Sequence, residues 1–472
     1  MNNFYKILIF LVISFIHKCQ FQEVDEKCKI GDNCILPTCN CDSAEIPIDL
    51  PKRYHLSDMP QLIILTIDDD KLDVKSYQIY RKLFENRFNP NNCSIKGTFF
   101  VSDSENKTSY CLTRNLFEKG HEIAISTVNY TCPHKRCSPF RDFIAWDYEE
   151  WSNQILNMRE RLNKYAGIPK PAITGFRAPI LEPASDMHYR IISSNKFLYD
   201  SSLILNTDDI IWPFTLNYKF NSYLSNNGPI HSYNGLWELP IPTYIDLDNE
   251  NLKCLKLWEG HCKFDKSING VAKFFRHHFL RAYYNNRAPI VFHLYGDWLK
   301  EYQIVNQTEI IPNVGYANKE KTKINIEKKE YRNLDGLIKF INDTLTHNKN
   351  VYFVTARQAI EWMKLLPRIQ NENITNLLNE DLFENCNSGK MEYDGQCNVL
   401  KQYKPDYDTD ESLILDDEDG DKLRDLLKID HSKKSVLTDL QSEVLFVNSF
   451  VLYFVAGLGV LLVVVILDDR FF

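Results

Sequence analysis

Residues 61–69 read QLIILTIDD, from Gln61 to Asp69, and Asp70 follows directly. The run Leu62 to Ile67 is apolar and rich in β-branched residues, with no polar alternation. That pattern predicts a strand buried on both faces, the kind found in parallel sheets covered by helices. It stops on three acids. In parallel α/β architectures the carboxyl ends of the strands carry the chemistry. Asp68, Asp69 and Asp70 are therefore the first candidate site residues.

Reading outward from this strand, the chain alternates. Val74 to Phe88 has helical spacing of apolar residues, IKGTFFV (Ile95 to Val101) predicts a strand and Leu112 to Lys119 a helix. HEIAIS (His121 to Ser126) predicts a strand, Trp146 to Tyr165 a long amphipathic helix, and AITGFRAP (Ala172 to Pro179) another strand. PIVFHLY (Pro289 to Tyr295), Leu334 to Thr346 and Asn350 to Met363 continue the series. Repeated β-α units imply an α/β fold with a parallel sheet, open or closed into a barrel.

The 472 residues exceed one average domain, and 44% of them are apolar, enough for a sizeable core. A net charge of −8 argues against a nucleic-acid partner. Residues 1–20 have the charge and apolar run of a secretory signal peptide. Residues 21–58 form a Cys-rich segment, 59–366 the β-α domain, and 367–443 an acidic stalk low in aromatics. Residues 444–467 are apolar for long enough to form a single C-terminal transmembrane helix, with 468–472 as a cytoplasmic tail. This reads as a type I protein on the extracellular side of the plasma membrane, with the membrane as a partner through that helix. Of 13 cysteines, 12 lie beyond the signal stretch. An even number in an oxidising compartment predicts disulfides, with a zinc site at Cys28, Cys34, Cys39 and Cys41 as the alternative. Asn92, Asn106, Asn129, Asn306, Asn342 and Asn373 stand in Asn-x-Ser/Thr triplets that fit surface glycosylation.

The strand ends give a short list: Asp68 to Asp70, Ser126 and Thr127, Arg177, and His293 or Tyr295. Two adjacent acids with an arginine from another strand suit a general base beside a metal ligand. They equally suit a helix N-cap with a solvated neighbour.

LTIDD, GHEIA, GFRAP, WELP and VYFVT occur in an order that resembles the carbohydrate esterase family 4 polysaccharide deacetylases, the NodB-homology domain. The CILPTCNC stretch ahead of them resembles the animal chitin deacetylases. The resemblance runs from about Cys28 to Met363. It implies a distorted (β/α) barrel of the polysaccharide deacetylase type and N-deacetylation of N-acetylglucosamine polymers such as chitin. It also implies zinc or another divalent metal if the domain is active, and no cofactor if it is not. By this resemblance Asp68 would be the general base, Asp69 a metal ligand, and Arg177 the residue that orients Asp68. Thr127, Pro179, Trp212 and Trp237 would border the substrate groove.

The chain departs from that pattern at its second motif. Where two histidine ligands are expected, GHEIAISTVNYT has Ser126 and Tyr130. One carboxylate and a hydroxyl make a poor zinc site. The general-acid histidine is also displaced: ungapped spacing to Trp298 puts Tyr295 there, and a shift of two makes it His293. The reading is a chitin deacetylase-like carbohydrate-binding or processing protein of the extracellular matrix with an impaired metal site. The alternatives are an active deacetylase with substitute ligands and an adhesion module that keeps only the scaffold.

Overall fold

A computed structural model describes residues 27–133, 145–183, 185–247, 253–254, 256–257, 262–312 and 321–371. The proposed signal peptide, most of the stalk, the apolar stretch 444–467, the tail, His134, Cys386 and Cys397 lie outside these residues. Among the described residues no helix is long and apolar enough to cross a membrane.

The opening strand, β1 (Gln61–Asp69), is buried at all nine positions. The further strands are β2 (Thr98–Val101), β3 (Glu122–Ile125), β4 (Gly175–Phe176), β5 (Tyr199–Asp200), β6 (Ile204–Leu205), β7 (Phe214–Thr215), β8 (Trp237–Glu238), β9 (Ile241–Pro242), β10 (Tyr244–Ile245), β11 (Lys253–Cys254), β12 (Ile290–Tyr295), β13 (Gln303–Pro312), β14 (Lys321–Glu330) and β15 (Val351–Val354). The helices are α1 (Val74–Phe84), α2 (Tyr110–Glu118), α3 (Tyr148–Tyr165), α4 (Asp186–Ser194), α5 (Ile268–Asn285), α6 (Gly296–Lys300), α7 (Arg332–His347) and α8 (Ala356–Leu365). Several start on side-chain caps: Asp73, Ser109, Asp147, Ser267 and Thr355 each accept a backbone N–H from the first turn.

β1 is the centre of the sheet. It pairs in parallel with β12 along one edge, with Asp68 opposite Tyr295. Its other edge is shared, by β15 against Gln61–Ile64 and by β2 against Thr66–Asp69. The sheet continues in parallel through β3, β4, β5 and β8. The β6–β9 pair carries on past the β5–β8 pair. β9 packs against β12, the far edge, and the Tyr244 hydroxyl exchanges hydrogen bonds with the backbone of His293. The expected distorted barrel is thus a curled α/β sheet, with the separate β6–β9 pair packed against its β12 edge. Among the described residues no β-ladder closes it.

The strands expected from long apolar runs are present, but the fourth is cut to two residues. Pro169, Pro171 and Pro179 flank it with 3-10 turns, because proline removes donors and fixes φ. Gly175 is needed there, since a Cβ would lie 2.1 Å from Cζ of Tyr199. The first predicted helix stops at Phe84, four residues early, where Glu85 turns extended. The antiparallel β13–β14 pair is an element for which the sequence carries no strong signal.

Cys28–Cys41 and Cys34–Cys39 are disulfides, as is Cys254–Cys262. This removes the zinc alternative for the Cys-rich segment, whose four sulfurs are consumed in pairs. That segment docks through Asn40, whose side chain donates to the Pro213 carbonyl and whose N–H donates to Thr215.

Candidate active site

Asp68 leaves the end of β1 fully buried. Arg177, also fully buried, reaches it from the residue after β4. Its Nη1 donates to Asp68 Oδ1 at 2.7 Å and to Thr66 Oγ1 at 2.9 Å. Its Nε and Nη2 are held by the Ser201 carbonyl and hydroxyl, and its plane lies 3.9 Å over the Phe100 ring. Asp68 Oδ2 meets His293 Nε2 at 3.0 Å and accepts the Tyr130 hydroxyl at 2.9 Å. Burial alone would push the Asp68 carboxyl up; Arg177 and His293 outweigh it and bring it down to about 2. Burial pushes His293 below the ordinary imidazole value in spite of Asp68. Burial and the Asp68 charge raise Tyr130 well above a free phenol, so it stays a donor.

Asp69 takes the opposite character. Tyr80 of α1 donates to its Oδ2 at 2.5 Å, and Lys300 Nζ of α6 stands 3.8 Å from its Oδ1. Gly296 overlies the same carboxyl so closely that a Cβ would fall 3.1 Å from Oδ1. Burial pushes the Asp69 carboxyl up to about 7, only partly countered by Lys300 and Tyr80. Lys300 also holds Asp297 at 2.8 Å and Ser76 Oγ at 3.2 Å. Burial works against its ammonium, but Asp69 and Asp297 prevail and raise its pKa.

Of the predicted residues, the structure gathers Asp68, Arg177, His293 and Tyr130 into one hydrogen-bonded group. Tyr295, the register partner of Asp68, instead stacks on Tyr130, with ring centroids 6.0 Å apart. Ser126 is buried at the end of β3, its hydroxyl without a hydrogen bond. Thr127 is buried and closes a local turn by donating to the Asn129 carbonyl. Pro179 is buried at the start of the 3-10 turn after Arg177. His121 faces away, packed edge-on against Phe84 and Phe99.

Two of the groove candidates are buried. Trp212 is fully buried and stacks on Trp362 of α8, as a core side chain does. Trp237 is buried on the opposite face of β8 from Glu238, whose carboxylate turns to the Leu203 N–H inside the sheet.

Sequence reasoning missed Tyr80, Lys300 and a second buried acid pair. Asp200 accepts Ser202 N–H and hydroxyl, with His188 Nε2 3.5 Å away. Burial, reinforced by the neighbouring Asp200, raises the Glu238 carboxyl well above its usual range. Glu238 lies in the WELP stretch already noted and Asp200 ends β5, so their strand-end positions were the available signal.

The donor set around Asp69 does not fit a catalytic zinc ion. Asp69 is already engaged by Tyr80 and Lys300, and the positions where two histidines are expected hold Ser126 and Tyr130, whereas such sites take three good protein ligands. Among the described residues the imidazole of this group, His293, is committed to Asp68, and an ammonium already stands beside Asp69.

No family model matches the chain. Chitin deacetylase 1 of Bombyx mori is 27% identical over 347 residues, 71% of this chain and 56% of that protein. The match thus spans little more than half of that relative's length. Chitin deacetylase 8 of Bombyx mori is 27% identical over 340 residues, 70% of this chain and 76% of the relative. Among solved structures, the peptidoglycan deacetylase PdaC of Bacillus subtilis aligns with a TM-score of 0.33 at 12% identity, covering 67% of this chain and 99% of that one. A family 4 carbohydrate esterase from Streptomyces lividans aligns with a TM-score of 0.22 at 14% identity, over 30% of this chain and 62% of its own.

Proposed function

We propose, for a chain that is chitin deacetylase-like in its sequence, that the domain recognises N-acetylglucosamine polymers of the chitin type at the extracellular face of the cell without hydrolysing them. The described disulfides fit an oxidising compartment. In this reading the apolar stretch 444–467 tethers the domain to the membrane.

The observation that carries the proposal is the hydrogen bond from Tyr130 to Asp68, made at a position where the family resemblance expects a metal-binding histidine. With Arg177, His293 and Tyr130 all directed at it, the Asp68 carboxylate meets three hydrogen-bonding partners and its basicity is suppressed. A general base works best with a pKa near the working pH, and a group held near 2 is far from that. Beside it, Lys300 supplies a positive charge to Asp69 where a deacetylase would place its metal. A water with no metal keeps a pKa of about 15.7, too high for useful attack on an amide at neutral pH.

One observation favours a second reading, an active deacetylase with substitute ligands. Asp69 Oδ1 and Ser126 Oγ are both buried without a hydrogen-bond partner among the described residues, as atoms awaiting a ligand would be. The two readings part in one experiment on the purified full chain: metal content by mass spectrometry, acetate release from a chitin oligomer, and retention on chitin beads. The proposal expects retention, no stoichiometric metal and no acetate. Stoichiometric zinc with acetate release abolished by Asp68→Asn would overturn it. Failure to be retained would leave the scaffold-only adhesion role.

A further inference from the structure

Away from the Asp68 group, a cleft of about 730 Å³ lies between α3 and the loops after β2 and β3. Pockets of this size hold ligands of several rings. Its α3 wall is polar along its whole length. Glu150, Asn153, Asn157, Arg161 and Lys164 recur at intervals of three or four residues and so line one helix face. All but the Lys164 ammonium are planar amide, carboxylate or guanidinium groups, suited to paired hydrogen bonds with vicinal hydroxyls. Tyr165, 51% exposed at the end of that face, adds a flat ring for the C–H face of a sugar.

Two exposed asparagines of the opposite wall stand in glycosylation triplets, Asn106-Lys107-Thr108 and Asn129-Tyr130-Thr131. They differ in how they are held. The Asn106 amide oxygen accepts from Arg161 Nη1 at 2.7 Å. The Asn129 backbone is fixed on both sides, its N–H donating to Gln154 Oε1 at 2.8 Å and its carbonyl accepting from Thr127. Its side-chain amide makes no hydrogen bond to any described residue. Thr131, which completes the triplet, is exposed.

We infer that Asn129 carries an N-linked glycan whose first sugars lie in this cleft against α3. The geometry supplies a rigid attachment point, an unengaged amide nitrogen at the rim and a polar wall facing it. The described disulfides independently place the chain in the compartment where such glycans are added. The cleft is then covered by the protein's own modification and is not a groove for an external polymer.

The test uses the full chain expressed in a secreting eukaryotic cell. Glycopeptide mass spectrometry should find Asn129 occupied. Thr131→Ala should abolish the occupancy and Thr131→Ser should keep it. Amide hydrogen exchange across residues 150–165 should then rise severalfold in Thr131→Ala relative to Thr131→Ser, with the exchange of β1 and β12 unchanged. An unmodified Asn129 overturns the inference. So does an occupied Asn129 whose loss leaves exchange in α3 unchanged, since the sugar would then project into solvent.

Discussion

Replacing Arg177 by methionine removes a fully buried cation while keeping most of its volume. Four hydrogen bonds go with it, to Asp68, Thr66 and both oxygens of Ser201. The larger effect is on what remains, because Asp68 keeps its burial and loses its main counter-charge. Breaking one side of a buried ion pair costs about 3–5 kcal/mol, a large share of the roughly 5–15 kcal/mol that holds a domain folded. Urea unfolding at pH 7, followed by circular dichroism with disulfides intact, should show a loss of that size with little change in slope.

The pH dependence gives a second, independent reading. In the native chain the Asp68 carboxyl falls from 3.8 to about 2, which corresponds to about 2 kcal/mol of stability. Its folded pKa is depressed, so that contribution is present above pH 3.8 and lost as the pH falls toward 2. In Arg177→Met the remaining dominant influence is burial, which raises the pKa. The sign reverses, and the variant should lose stability as the pH rises from 4, where the native chain holds its own. Adding Asp68→Asn should remove that slope and recover part of the loss, a non-additive result. A single-variant cost below about 1 kcal/mol, or strictly additive effects, would refute the view that the pair acts as one buried unit.

Other expectations follow from the same geometry. If, as proposed, no resident metal contributes to folding, chelators should leave the thermal midpoint of the full chain unchanged within about 1 °C; a drop of several degrees on dialysis against EDTA would contradict this. The triple variant Ser126→His, Tyr130→His, Lys300→Met should gain stoichiometric zinc, because it restores two imidazoles and removes the ammonium beside Asp69. Calorimetric titration with zinc checks this, and a variant as indifferent to zinc as the native chain would count against the account of the site. Trp212→Ala should cost about 3–5 kcal/mol as a core cavity, yet leave retention on chitin beads unchanged well below its melting midpoint. Weakened retention by a folded variant would return Trp212 to the groove.

The sheet was legible where side chains alone determine burial. Leu62 to Ile67, Phe99 to Val101, Ile123 to Ile125, Ile290 to Leu294 and Val351 to Val354 are apolar without alternation, and each is a buried parallel strand. The strands from β4 to β9 are two residues long. Their neighbours are prolines, glycines and buried acids, and they exist because the sheet curls past them. Such elements arise from tertiary packing, and their local composition reads as loop.

The site divides along a similar line. Asp68 and Arg177 could be found because strand ends are where a parallel sheet gathers its functional groups. The choice between His293 and Tyr295 could not be made from spacing. Two residues apart on β12, they share a face, and register favours Tyr295, which sits directly opposite Asp68. The imidazole of His293 nevertheless leans along the strand to meet Asp68, while Tyr295 rises to stack on Tyr130. Lys300 and Tyr80 were further from reach. In sequence, Lys300 is the last residue of a short helix and reads as a solvated lysine, and Tyr80 reads as a core position of α1. Only packing brings an ammonium and a phenol from two helices onto Asp69, with Gly296 closing over them. The loss of the histidines is written in the second motif. Of the side chains that meet the two acids here, Tyr130, Tyr80 and Lys300, the last two belong to no strand-end motif, so the Asp-Asp pair alone does not tell what surrounds it.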